Sequence, residues 1–290
     1  MRYTLSKINS YPAILFALNI PLRIVNSGYV TAGNRPAPYL LLFNRNYMSP
    51  RNDHLILIGG KSATGKSASL MPIDLPEGVI YLNAENGKKL PFKSKFKELT
   101  VTDPSQVYQA FAEAERMPNV HTIIIDTITY LMDMFESTKV LTAENTMKAW
   151  SHYAQFVKVL MSQIVAKSTK NVIFLGHTAD VLNEADMVNE TVVKVKGSLM
   201  NNGLESFFTN VISTKKMVLT KFNEQNANSP LFTITPEDEL NGFKYVYQTR
   251  LTKDTVNERI RSPMGMWAFN ETFIDNNIQF VINRLHEYYK

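Results

Sequence analysis

Gly60, Lys61, Ser62, Ala63, Thr64, Gly65, Lys66 and Ser67 read G-x-x-x-x-G-K-[ST], a pattern whose chemistry is phosphate binding. The glycines let the backbone wrap until consecutive N–H groups converge on phosphate oxygens. Lys66 reaches the β and γ phosphates, and the Ser67 hydroxyl joins a Mg²⁺ shell. Ala68 closes the candidate nucleotide-binding stretch, and a helix beginning at Gly65 is expected to add its dipole. Such a loop requires a second magnesium ligand. Asp126 supplies it at the end of the apolar run 121–126, at the carboxyl end of a strand, where open α/β sheets bind ligands. The run 79–83 leads into Ala84 and Glu85, which places Glu85 to polarise a water against the γ-phosphate. The run 171–176 delivers His177, a polar group able to hydrogen-bond the γ-phosphate. Plainer readings stand beside these: a helix N-cap for Asp126, a solvated turn for Glu85, a satisfied strand end for His177.

Elements of a particular kind must carry these residues. From His54 onward, short β-branched or aliphatic runs alternate with helical patterns, the signature of βαβ units and a largely parallel sheet. The strand candidates are 55–58, 79–82, 99–102, 122–125 and 172–175, each apolar enough to be buried on both faces. Helices are expected over 104–117, 143–167 and 276–289, with further strands over 211–222 and 243–252. The stretch 178–202 shows no clear period. The expected fold is α/β, a P-loop core with a mainly parallel, twisted sheet flanked by helices. Residues 51–290 form the ATPase domain. Residues 1–50, rich in proline, asparagine and aromatics, form an N-terminal packing or oligomerisation segment.

The order of P-loop, strand ending in Ala84-Glu85, strand ending in Asp126 and strand ending in His177 resembles the ATPase core of RecA-like recombinases and hexameric helicases. The strongest likeness is to small bacteriophage RecA-like ATPases of the single-strand-annealing recombinase group, over roughly residues 54–262. The resemblance implies ATP and Mg²⁺ as cofactors. It gives Glu85 the water-activating role, Asp126 the Walker B role and His177 the sensor role. Recombinases often carry glutamine at the sensor and some helicases carry histidine. The implied activity is an ATP-dependent, single-stranded-DNA-binding recombinase that self-assembles as a filament or ring in the (host) cytoplasm, with a single-strand-binding protein as a further partner. A ring helicase motor is the alternative, followed by a P-loop kinase or a nucleotide-gated scaffold. No N-K-x-D motif favours a GTPase.

By the same resemblance, the segments facing DNA are 133–145 and 178–202, with Lys194 and Lys196 on the phosphate backbone and Met187 and Met200 as wedges between bases. Between 191 and 221 five lysines face one glutamate, and between 244 and 261 five cations face two acids, the clustering that phosphate neutralisation needs. Lys215, Lys216, Arg250, Lys253, Arg259 and Arg261 are alternatives for reaching a neighbouring subunit's ATP in trans. A solvated basic face is the plain reading of the same charges.

Composition bounds these readings. The 290 residues carry a net charge of +5, 44% hydrophobic and 20% charged residues, which suits a globular chain. Zero cysteines remove disulfide scaffolds, zinc ribbons and cysteine nucleophiles. The apolar run 13–18 imitates a signal peptide, but Pro12, Asn19 and Pro21 interrupt it. No run has the ~18 apolar residues a membrane helix needs.

Overall fold

The computed structural model describes residues 52–290 except 185, 223–225 and 227, so the N-terminal segment 1–50 lies outside the described residues. Nine strands make up one sheet: β1 Leu55–Gly60, β2 Val79–Asn83, β3 Lys97–Thr100, β4 Thr122–Asp126, β5 Asn171–Asn183, β6 Val188–Val193, β7 Asn210–Val218, β8 Phe243–Gln248 and β9 Phe273–Asp275. Their order is β3-β2-β4-β5-β1-β7-β8-β9, with β6 paired to β5 alone. The first six in that order run parallel, while β8 and β9 finish the sheet antiparallel. This is the expected fold class. β5 lies between the P-loop strand β1 and the Asp126 strand β4.

Alternation along the strands divides the core into two layers. Leu57, Ile123, Ile125, Val172 and Phe174 point to one face. There they meet helices α1 Gln106–Arg116, α2 Ile128–Phe135 and α3 Thr146–Val159. Ile56, Ile58, Ile124, Ile173 and Leu175 point to the other, against Trp267 and a C-terminal helix, Ile278–Tyr288, through Ile278, Val281, Ile282 and Leu285. Register then aligns the strand ends. Gly60 pairs with His177, Asp126 with Leu175 and Asn83 with Asp126. Three strands therefore deliver their last residues, and β5 its His177, to one end of the sheet, which positions the site.

Several expectations need correction. No α-helix starts at Gly65: the P-loop runs into a single 3₁₀ turn, Ala68–Leu70. Pro72 lacks an N–H and disfavours helix at Met71, and Pro76 follows closely. The helix expected over 143–167 stops as α-helix at Val159 and continues through a wide π-type turn, Leu160–Ile164, and a 3₁₀ turn to Lys167. Segment 133–145 is not a loop throughout, because α2 extends to Phe135 and a π-type turn covers Glu136–Val140. Segment 178–202 is ordered: β5 runs on past His177 and folds back as β6, pairing Thr178 with Val193 through Asn183 with Val188, before a short helix at Ser198–Asn202. Burial rises along Val188–Val193, from half-buried at Val188 to buried at Val192 and Val193, as the strand approaches the body of the sheet. The strand expected over 211–222 ends at Val218, and that over 243–252 at Gln248.

Candidate nucleotide-binding and hydrolysis site

The loop between Gly60 and Ala68 is held by its own polar groups. Ala63 and Gly65 have positive φ, 60° and 91°. A Cβ at Gly65 would lie 2.6 Å from the Asn276 amide nitrogen, so glycine is needed there for both conformation and space. The Thr64 hydroxyl bonds the Lys61 carbonyl at 2.8 Å and meets the Thr214 hydroxyl of β7. Asn276, just before the C-terminal helix, donates to the Gly65 carbonyl at 2.9 Å.

Lys66 is buried, and its ammonium donates to the Gly60 and Lys61 carbonyls at 2.9 and 2.8 Å. Burial pushes its pKa down to about 8, against the pull of Asp126 and Glu85. Asp126, 1% exposed, accepts hydrogen bonds from Ser67 at 2.8 Å and from Tyr81 at 2.7 Å, both on Oδ2. Its Oδ1 is buried without a hydrogen-bond partner. Burial raises the Asp126 pKa, opposed by the Tyr81 and Ser67 bonds. A buried carboxylate oxygen with an open valence is costly unless a cation or donor completes it. The Ser67 hydroxyl beside it makes a donor set that suits Mg²⁺, which takes one or two protein oxygens and fills its octahedron with water and phosphate. Among the described residues no cluster of three or more His, Asp or Glu could hold a metal alone.

Glu85 lies past the end of β2, its backbone N–H held by Asn83 Oδ1 at 3.0 Å. Its Oε1 is 3.1 Å from His177 Nε2, and its Oε2 accepts from Lys88 at 2.9 Å. The His177 bond is the largest influence lowering the Glu85 pKa to about 2, with Lys88 helping and burial opposing. His177 is itself fixed: its N–H donates to Thr129 of α2 at 3.0 Å, and Tyr130 packs edge-on against its ring. Lys66, Ser67, Asp126, Glu85 and His177 thus border one cleft of about 380 Å³, within the range of small-ligand pockets.

Sequence reasoning missed six residues of this cleft: Tyr81, Lys88, Lys89, Pro91, Tyr245 and Asn276. The period of β2 could have exposed Tyr81, because residues 81 and 83 share a face. Nothing local marks Asn276, which reaches Gly65 from far along the chain.

The basic residues are placed differently. Lys196 pairs with Glu136 and lies 3.9 Å from Asp133. Lys215 pairs with Glu258, and Arg259 with Glu190 at 2.9 Å and Glu205 at 3.6 Å. Arg250 donates to the Trp267 carbonyl, and Arg261 to the carbonyls of Phe208 and Ser206. Lys216 stands over the Phe243 ring at 4.1 Å. Lys61 pairs with Asp180 across the hairpin root at 2.6 Å. The side chains of Lys194 and Lys253 are exposed and have no such partner among the described residues. Met187 is 75% exposed at the hairpin tip, and Met200 lies on the short helix at 48%.

A P-loop beside an aspartate with an open valence and a strand-end glutamate defines the class, a P-loop ATPase domain. The AAA domain family model matches residues 53–235, and the chain belongs to that family. No curated protein matches the sequence. Among solved structures the chain is similar to a KaiC-like protein from the hyperthermophilic archaeon Pyrococcus horikoshii. The identity is 13%, over 71% of this chain and 82% of that one, with a TM-score of 0.38. Among the described residues, no helix is long and apolar enough to cross a membrane.

Proposed function

We propose that the chain hydrolyses ATP to ADP and inorganic phosphate and uses the cycle to act on single-stranded DNA. The observation that carries the hydrolysis is the convergence of Lys66, Ser67, Asp126, Glu85 and His177 on one cleft. Lys66 turns from the loop carbonyls to the β and γ phosphates, exchanging neutral acceptors for anionic ones. Ser67 and Asp126 hold Mg²⁺, which neutralises phosphate charge when bound. Glu85 orients a water and takes its proton as the new P–O bond forms and the bond from the γ phosphorus to the bridging oxygen breaks. ADP leaves with that oxygen. His177 holds Glu85 in register and lies where a γ-phosphate would be sensed.

The DNA reading rests on how the site continues. β5 carries His177 and runs unbroken into the hairpin with β6, and the Lys194 N–H bonds the His177 carbonyl at 2.8 Å. The proposed sensor and an exposed lysine with no anionic partner among the described residues are thus backbone neighbours, which supports a nucleotide-dependent grip on a phosphate backbone. We read the protein as a RecA-like annealing or recombination ATPase of phage type. It would work in the host cytoplasm as a filament or ring beside a single-strand-binding protein. Lys216 and Lys253, the candidates with no anionic partner and no carbonyl bond, would reach a neighbour's nucleotide. The test is the steady-state MgATP hydrolysis rate with and without a single-stranded oligonucleotide. Stimulation is expected; an equal rate sinks the DNA reading, and no hydrolysis in either case sinks the ATPase reading.

A further inference from the structure

The turn after Glu85 carries a residue that the hydrolysis reading leaves without a task. Asn86 and Gly87 have φ of 54° and 75° in succession. The Lys88 N–H returns to the Glu85 carbonyl at 3.0 Å, and the Lys88 carbonyl accepts from Asn83 at 2.9 Å. Two left-handed residues in a row reverse the chain within a single step. The result folds Lys88 back over the carboxylate that precedes it by three positions. Its ammonium is 2.9 Å from Glu85 Oε2, and Lys88 lines the same cleft as Lys66, Asp126 and His177.

The two partners of Glu85 are not equivalent. The His177 side chain is 21% exposed, with its backbone N–H held by Thr129 and its ring packed against Tyr130, whereas the side chain of Lys88 is 70% exposed. The exposed ammonium of Lys88 can exchange Glu85 for another anion without leaving water. Both Glu85 oxygens are engaged by a donor, so losing the Lys88 contact leaves Oε2 less crowded and a stronger acceptor for a water proton. Lys88 is the partner able to leave, and a terminal phosphate in the cleft offers it a more highly charged acceptor.

We propose that Lys88 is a second phosphate-binding cation supplied by the chain to its own site, moving from Glu85 to the transferring phosphoryl group and freeing Glu85 Oε2 by the same movement. This inference rests on the hydrolysis reading. A lysine from the same chain would then stabilise the charge that develops as the phosphoryl group passes to water, independently of any neighbouring subunit. The ordering also follows: a cleft holding only ADP presents no terminal phosphate to draw Lys88 away, and Glu85 stays occupied.

The experiment compares wild type, Lys88→Met and Lys88→Arg by steady-state MgATP hydrolysis, and by affinity for MgADP alone and for MgADP with aluminium fluoride, which imitates the phosphoryl group in transfer. The expected result for Lys88→Met is a kcat lowered about 10- to 100-fold, the size of one charge-assisted contact. MgADP affinity should stay within about twofold, and the gain in affinity from aluminium fluoride should be lost; these readouts, too, follow from one charge-assisted contact. Lys88→Arg should restore most of kcat. A kcat at or above the wild-type value in Lys88→Met overturns the proposal and leaves Lys88 as a clamp on Glu85. So does a parallel loss of MgADP affinity, or an aluminium fluoride gain that persists. Glu85→Gln as a control separates the two readings. If wild type hydrolyses no faster than Glu85→Gln, the hydrolysis reading fails and this inference with it. If wild type is active and Lys88→Met equally so, this inference alone fails.

Discussion

At the ends of β1, β2 and β4, ionic groups converge with bonding capacity left over. Asp126 has one oxygen bonded twice and the other not at all, and Lys66 rests on two neutral carbonyls. Around β6, β7 and the segment that follows, the charges meet partners of the chain's own: Lys196 with Glu136, Lys215 with Glu258, Arg259 with Glu190 and Glu205. Both regions look charged in the sequence. The first holds its charge in a form a ligand can complete; the second has neutralised part of it internally, at Lys196, Lys215 and Arg259. Net charge along a chain therefore measures a surface poorly until its pairings are known.

The largest effect that can break this comparison lies in the cleft. Glu85→Gln should lower MgATP turnover about 10²- to 10⁴-fold while nucleotide binding persists. Asp126→Asn should shift the Mg²⁺ concentration needed for turnover upward. Metal titrations of both variants check the division, and equal loss of nucleotide binding in both would dissolve it.

A smaller effect concerns pH. Lys66 is held down to about 8 by burial, so it loses its proton as pH rises through that value. Phosphates favour its charged form, so affinity is full below pH 8 and falls above it, by roughly tenfold per pH unit at the steepest. MgADP titrations from pH 7 to 9.5 check the sign; affinity that is flat or rising leaves Lys66 without a charge role. The smallest effect sharpens the other side. If a single strand lies on the hairpin root, Lys194→Ala should flatten the log–log salt slope of binding by about 0.7, one phosphate contact. Lys196→Ala should leave it unchanged, because that ammonium already serves Glu136. Equal flattening by both would show the pairing to be exchangeable, and the contrast between the regions would narrow.

The strands and motif residues were legible because each depends on a local run: apolar blocks around Ile124 and Ile173, and glycines at fixed offsets in the P-loop. What was hidden depended on partners remote in the chain. Asn276 meets Gly65, Thr214 meets Thr64, and Glu136 meets Lys196, none of which a window of sequence contains. One miss was avoidable. Pro72 disfavours helix at Met71 and so limits the helix expected from Gly65 to a turn or two. The turn that folds Lys88 onto Glu85 lay between, because Gly87 signals a turn but not what the turn returns to.

β5 has a mechanical consequence of its own. It is a single strand of 13 residues whose first half is clamped between β1 and β4 and whose second half pairs with β6, with Lys61 bonded to Asp180 near its root. From His177, the last residue that β1 pairs, to Asn183 the arm measures about 20 Å at 3.3 Å per residue. A rod of that length, pivoting at its clamped end, carries its tip about 0.35 Å for each degree of tilt, by the same spacing. A tilt at His177 would therefore reach the exposed Met187 magnified, because one strand joins the cleft to the hairpin tip.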